Sequence, residues 1–301
     1  MKKTISVIGA NSYIARNLVY MLQQESSKYE VFLYDCTDNY IDDVEKCNYT
    51  KIDILSTESV KAINFDVDVV YMFVGKTGSA NGFQDYNLFI DINERALLNV
   101  LSEYVRRKSS AKLVFPSTRL VYRGASGELD ETAEKEYKTI YAINKYACEK
   151  YLEAFHNVYG VSYTIFRICV PYGTLIPGAT SYGTAEFMLS KAKKNENITL
   201  YGDGAVRRTI TYIEDLCRIL IDGSFSEQII NDVFNVGGEN YSLKEMAVLI
   251  ARTYNVDVEM VEWPEIAKKI ESGDTVFDSK KLDNILGHNY HKKFEDWIKQ
   301  Q

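Results

Sequence analysis

The chain has 301 residues, of which 46% are hydrophobic and 26% charged, with 17 glycines and only 4 prolines. That composition excludes a disordered or collagen-like chain and gives enough length for one large domain or two smaller ones. A net charge of −7 repels phosphate backbones and makes nucleic acid a poor partner, and no apolar run approaches the roughly 18 residues of a membrane span. Cys36, Cys47, Cys148, Cys169 and Cys217 form no CxxC pair, and with His156, His288 and His291 they offer no zinc set. The reading is of reduced thiols in a cytoplasmic protein without a metal. The basic start MKKTISVIGA has an apolar run too short for a signal peptide.

In chain order, Ile5–Ile8 predicts a strand and Ile14–Leu22 the helix after it. Val31–Tyr34 and Lys51–Ile54 predict further strands, and the nearly continuous run Val67–Val74 a strand buried on both faces. A long helix follows at about Asn87–Arg107, then a strand at Lys112–Phe115, a helix at Thr139–Tyr159 and a strand at Val161–Phe166. This alternation specifies α/β architecture: a doubly wound parallel sheet covered by helices on both faces. Beyond Pro171 the pattern loosens. Helices are predicted near Ala185–Lys194, Ile213–Asp222 and Leu243–Tyr254, with short strands at Ile198–Tyr201 and Val233–Val236. The division expected is residues 1–170 as a dinucleotide-binding domain carrying the reacting groups. Residues 171–301 then form mainly a smaller α/β substrate lobe, with some segments returning to the sheet. Such a lobe, laid over the carboxyl edge of the sheet, makes a ligand cleft.

The first strand runs into Gly9-Ala10-Asn11-Ser12-Tyr13-Ile14-Ala15 and a helix start, the setting in which backbone N–H groups and the helix dipole attract a pyrophosphate. Gly9 permits the tight turn, Ser12 stands where a second glycine would give closest approach, and Ala15 still allows the helix to pack on the strand. An ordinary βα turn has the same appearance. Asp35, ending the second strand, is placed to accept hydrogen bonds from ribose hydroxyls and to repel a 2′-phosphate, which favours NAD over NADP; a turn-capping aspartate reads alike, and so does Asp53.

Tyr141 and Lys145 lie four residues apart at a helix start and share one face. A free phenol titrates near 10. A neighbouring ammonium, aided by a cationic nicotinamide, lowers that value and makes a proton-transfer pair; a solvated helix face is the plain alternative. Upstream, Pro116-Ser117-Thr118-Arg119-Leu120-Val121-Tyr122 places hydroxyls at the carboxyl end of a strand, where Thr118 can hold a substrate oxygen beside Tyr141 or merely cap a turn.

Taken together and in register, these segments resemble the extended short-chain dehydrogenase/reductases, in particular the NAD-dependent nucleotide-sugar epimerase/dehydratase group, over nearly the whole chain. The resemblance implies a Rossmann-type fold and NAD held by Gly9, Asn11, Ser12, Tyr13, Ile14, Asp35, Asp53, Ile54, Val74 and Lys145. It implies Thr118, Tyr141 and Lys145 as the reacting groups, with Asn93 of Asp91-Ile92-Asn93 as the structural asparagine of the site. Arg167–Gly173 (RICVPYG) resembles the family's R-x-x-N-x-Y-G, and the Gly202-Asp203-Gly204 segment with Arg207-Arg208-Thr209-Ile210 resembles its G-D-G…R-D-F. Phe234–Gly238 resembles a late N-V-G motif. Ser117, Thr118, Tyr141 and Val170 would contact the substrate, and Arg208 would pair with its diphosphate.

The departures narrow the chemistry. Dehydratases of the group carry Asp-Glu after the catalytic threonine; Arg119 and Leu120 stand there instead, and neither can expel a C6 hydroxyl. Val170 replaces a substrate-contacting asparagine, and Arg123 interrupts V-Y-G. The resemblance implies an NAD-dependent nucleotide-sugar 4-epimerase, an isomerase working through a transient 4-keto sugar and acting as a homodimer paired through its two long helices. A 4-keto-6-deoxysugar 4-reductase on the same scaffold comes second. A non-catalytic NAD-binding sensor or scaffold is a third reading, which the intact Thr118, Tyr141 and Lys145 disfavour.

Overall fold

The computed structural model describes residues 2–42, 48–78, 80–288, 290 and 292–301; Cys47 and His291 lie outside the described residues. The main sheet is built from β1 (Lys3–Ile8), β2 (Tyr29–Asp35), β3 (Asn48–Lys51), β4 (Val69–Met72), β5 (Lys112–Thr118), β6 (Tyr163–Ile168) and, after an excursion through a second lobe, β10 (Asp232–Asn235). Its order is β10-β6-β5-β4-β1-β2-β3, with every neighbouring pair parallel. The reversal between β4 and β2 about β1 opens a crevice at the carboxyl ends, the place where sheets of this kind take ligands.

Residue alternation assigns the two faces. Val69, Tyr71 and Phe73 turn toward α1 (Tyr13–Gln24) and α5 (Ile213–Phe225). Val70 and Met72 turn toward α2 (residues 86–107) and α3 (Ile140–Tyr159). Both faces are therefore apolar, which is why β4 reads as an unbroken hydrophobic run. Tyr71 is fully buried, and its hydroxyl donates to Ser224 Oγ at 2.9 Å on α5. Thr139 caps α3 by accepting the Ala142 N–H at 3.0 Å, and Gly160, at φ +72°, ends it.

Two expectations need correction. The strand expected at Lys51–Ile54 is β3, Asn48–Lys51. Ile52 and Ile54 are buried with the alternation of a strand, but the Asp53 carboxylate accepts the Leu55 N–H at 2.9 Å and turns the chain away. The long helix α2 is also not uniform: Tyr86–Ile90 and Ala96–Arg107 are α-helical, while Asp91–Arg95 between them is a π-helical turn that holds Asn93.

The second lobe has its own core, with Tyr172, Met188, Leu189, Ile210, Met246 and Trp297 among its members. It contains a three-stranded sheet of β7 (Val170–Tyr172), β9 (Arg207–Tyr212) and β11 (Glu239–Ser242), and a two-stranded one of β8 (Ile198–Tyr201) and β12 (Val258–Val261). Helices α4 (Thr184–Lys193) and α6 (Leu243–Tyr254) cover them. A capping box between Ser242 and Glu245 starts α6. Among the described residues no helix is long and apolar enough to cross a membrane.

The carboxyl ends of β5 and β6 are fastened from beneath by a buried polar network. Arg167 on β6 makes a two-pronged pair with Glu149 on α3, at 3.0 and 2.6 Å, with both side chains at most 4% exposed. Glu149 also accepts the Ser117 hydroxyl at the end of β5. Arg167 donates to the Tyr122 hydroxyl at 2.7 Å, and Tyr122 donates to Asn235 Oδ1 of β10 at 2.7 Å. Removing one partner strands a buried charge, so Glu149→Gln and Arg167→Met are each expected to lose about 3–5 kcal/mol in urea unfolding. The double variant Glu149→Leu/Arg167→Met should recover much of that loss. Single-variant losses below about 1 kcal/mol would show that the pair carries little.

Candidate functional site

The turn after β1 is shaped for a group to approach its backbone. Gly9 has φ +83°, and a Cβ there would meet Val74 N at 2.6 Å and the Phe73 carbonyl carbon at 2.8 Å. No other residue fits between β1 and β4. Beyond it, Ser12 begins α1 without its hydroxyl capping the helix, and that hydroxyl is buried with no hydrogen-bond partner among the described residues. A buried orphan hydroxyl beside the free N–H groups of a twelve-residue helix is the arrangement a pyrophosphate would complete.

This turn opens on a cavity of 320 Å³ whose walls include Gly9, Asn11, Ser12, Asp35, Asp53, Ile54 and Val74. The site candidates for the adenosine side are thus brought together. Two of them also have structural duties. Asp35 accepts the N–H groups of Asn11 at 2.8 Å and Cys36 at 2.7 Å. The Asn11 side chain donates to Thr37 Oγ1 at 2.6 Å and accepts the Ile41 N–H at 2.9 Å, pinning the loop after β2.

A second cavity, of 470 Å³, shares Ser12, Phe73 and Gly75 with the first, so the two adjoin along that wall. Its walls hold Tyr13, Ile14, Ser117, Thr118, Tyr141, Lys145 and Val170. The Tyr13 hydroxyl donates to the Gly173 carbonyl at 2.6 Å and ties the cofactor turn to the second lobe. Arg208 lies elsewhere. It is buried, pairs with Glu271 at 2.5 Å and donates to the carbonyls of Arg207 and Gly273, and it lines neither cavity. Arg123, which breaks the V-Y-G pattern, is an exposed partner of Glu134 at 2.9 Å.

The electrostatics of the reacting pair differ from the expectation. Burial pushes the Tyr141 phenol above its ordinary value, and only a hydrogen bond with Thr118 acts in the other direction. The Lys145 ammonium does not lower it here. Lys145 Nζ donates to the Pro116 carbonyl at 2.8 Å and sits over the Phe115 ring at 4.3 Å. The expected acidification therefore needs further positive charge in the cleft, such as the cationic ring that the sequence reading invoked. Burial also lowers Lys145 itself, to about 8. Asn93, buried on the π-helical turn, accepts the Lys76 N–H at 2.8 Å, and its main-chain carbonyl accepts the Cys148 thiol at 3.0 Å on α3. It fixes the Gly75-Lys76 segment along the cleft and does not line it.

Sequence reasoning passed over Gly75, Thr77 and Tyr182 and weighed Arg119 only as a missing acid; all four are in the wall of the larger cavity. The glycine and lysine directly after the buried β4 run were the available signal for that segment; Tyr182 carried none.

Lys145 also makes a prediction about stability. Its folded value of about 8 lies below its ordinary 10.5, so the unfolded chain binds the extra proton between those values and stability rises with pH across that window. Lys145→Met is therefore expected to be more stable than the parent near pH 7, with the advantage shrinking as pH climbs toward 10.5, in urea unfolding without cofactor. A pH-independent gap between the two proteins would contradict the burial of a charged Lys145.

Comparison with known proteins places this geometry in a lineage. Residues 5–237 match the NAD dependent epimerase/dehydratase family. A protein of Methanocaldococcus jannaschii with a provisional UDP-glucose 4-epimerase name is 26% identical over 252 residues, covering 82% of this chain and 81% of that protein. The UDP-glucuronate 4-epimerase of Thermodesulfobacterium geofontis is 25% identical over 213 residues, covering 70% of this chain and 64% of its own. The solved structure of a UDP-glucose 4-epimerase from Thermotoga maritima superposes with a TM-score of 0.85 at 22% identity, over 98% of this chain and 96% of the other, a likeness of fold. The Rossmann-type sheet, the glycine turn with its orphan Ser12 hydroxyl and the match over residues 5–237 agree, and the chain belongs to the NAD dependent epimerase/dehydratase family, with NAD as the cofactor that membership gives it.

Proposed function

We propose that this protein is a nucleotide-sugar 4-epimerase. The observation that carries the reading is that Thr118, Tyr141 and Lys145 stand on the wall of one cavity that adjoins, along Ser12, Phe73 and Gly75, the cavity at the Gly9 turn. Residues 1–170 would hold the cofactor and the reacting groups, and residues 171–301 would close mainly over the substrate.

When bound, NAD supplies the hydride acceptor that oxidises the C4 carbon and then gives the hydride back. Tyr141 takes the proton of the C4 hydroxyl as that carbon is oxidised and returns it when the opposite face is reduced. Burial favours its neutral phenol, so positive charge beside it is what readies it. Thr118 hydrogen-bonds both the phenol and the oxygen at C4. Lys145, anchored on the Pro116 carbonyl, holds the nicotinamide ribose. Asn93 keeps the Gly75-Lys76 segment in place. Arg119 and Leu120 leave no acid where a 4,6-dehydratase keeps its pair, which favours epimerisation.

The test is to incubate the purified protein with UDP-, dTDP-, CDP- and GDP-sugars and read products by NMR. An epimerase interconverts C4 epimers with no added reduced cofactor. Consumption of about one NADH per product, seen as loss of absorbance near 340 nm, would replace this reading with the keto-sugar reductase. Tyr141→Phe is expected to lower kcat about 10²- to 10⁴-fold while NAD stays bound; an active variant overturns the mechanism.

We also propose a homodimer through α2 and α3, where Tyr86, Ile90, Ile143 and Val158 are 41% to 70% exposed. Light scattering should give twice the chain mass for the parent, and Ile90→Arg/Ile143→Arg should give the monomer. A monomeric parent would exclude this pairing.

A further inference from the structure

Arg119 occupies a position the proposed reaction does not use, and its surroundings are unusual. It directly follows Thr118 and is half-buried. Among the described residues its guanidinium makes one hydrogen bond, to the neutral Ser272 hydroxyl at 3.3 Å, and no carboxylate pairs with it within 4.0 Å. Burial lowers it only to about 10, so it remains charged at neutral pH. Glu271, the carboxylate whose charge acts on it, is already paired with Arg208. The cluster Arg119, Arg208 and Glu271 therefore holds one positive charge without a counterion.

That charge sits at a junction. A third cavity, of 160 Å³, lies in the second lobe and includes Tyr201, Trp263 and Glu271 in its wall. It shares only Arg119 and Leu120 with the cavity that holds Tyr141. Tyr201 and Trp263 pack with ring centroids 5.3 Å apart and planes tilted by 42°, and a Cβ on Gly202 would meet Trp263 Nε1 at 2.4 Å, so this aromatic wall needs the glycine beside it. A nucleotide sugar has the matching order: a sugar, a doubly charged link and a flat aromatic base.

We propose that Arg119, in place of Arg208, is the guanidinium that receives the diphosphate of the substrate, where the sugar cavity meets the aromatic cavity that takes the nucleoside. The assignment rests on the reading of the substrate as a nucleotide sugar. A guanidinium presents a planar fork of donors to two phosphate oxygens, and here it would gain the partner it lacks. Arg208 keeps the role its contacts give it, holding Glu271 and the Gly273 turn behind Arg119.

The experiment is calorimetric binding of UDP, dTDP, CDP and GDP, each against its own nucleoside, to the NAD-loaded protein and to Arg119→Met and Arg119→Lys. The parent is expected to bind at least one diphosphate well above its nucleoside. Arg119→Met should weaken that diphosphate about 10- to 100-fold and leave the nucleoside within about threefold, with Arg119→Lys in between. NAD content and melting temperature should stay at the parent's values; if Arg119→Met disturbs them, Arg119→Gln takes its place. Unchanged diphosphate binding by a folded variant overturns the assignment. So does a loss confined to UDP-glucuronate with UDP unaffected, which would move the anion to the sugar. A parent that binds no nucleoside diphosphate overturns the nucleotide-sugar reading itself, and the role of Arg119 with it.

Discussion

The ion pair between Arg167 and Glu149 sets the geometry on which the site depends. Thr118 at the end of β5 and Tyr141 and Lys145 on α3 must keep their separations, yet they belong to elements that touch only through side chains. Glu149 lies one helical turn beyond Lys145 on α3 and binds both Ser117, next to Thr118, and Arg167 on the neighbouring strand. Through Tyr122 the same network reaches Asn235, on the strand that returns from the second lobe. Two charges taken out of water contribute little net stability, but they fix a relative position, because any slip breaks charge-assisted bonds where no water can replace them.

Against that rigid frame the cofactor side is held open by what is missing. Gly9 has no side chain because β4 lies where one would go, and Ser12 has a hydroxyl with nothing to bond. A buried polar atom without a partner costs folding free energy, and such a cost is tolerated where a ligand satisfies the atom. Arg119 repeats the pattern with charge in place of a dipole, at the other end of the same cleft.

The Tyr141 phenol shows the same logic. Burial favours its protonated form, and Lys145 donates to the Pro116 carbonyl. In the proposed reaction, positive charge beside the phenol is what would lower its pKa.

Much of this was legible in the residues. The alternation of short β-branched runs with helical periods specified the parallel sheet, because both faces of its strands are covered and the hydrophobic pattern has no polar side. The glycine turn and the Tyr141–Lys145 spacing were legible because each is a local geometry, fixed by a few consecutive bonds. The sequence misplaced β3, since Ile52 and Ile54 alternate like a strand while the Asp53 side chain bends the backbone. The resemblance gave Arg208 to the substrate and no role to Arg119; folding pairs Arg208 with Glu271 and leaves Arg119 on the Ser272 hydroxyl, partners that lie 63 and 153 residues away from the arginines they meet. Periodicity and local turn chemistry are carried by neighbours along the chain. Which of two adjacent charges is neutralised, and which stands free in a cavity, depends on partners that only folding brings within hydrogen-bond distance.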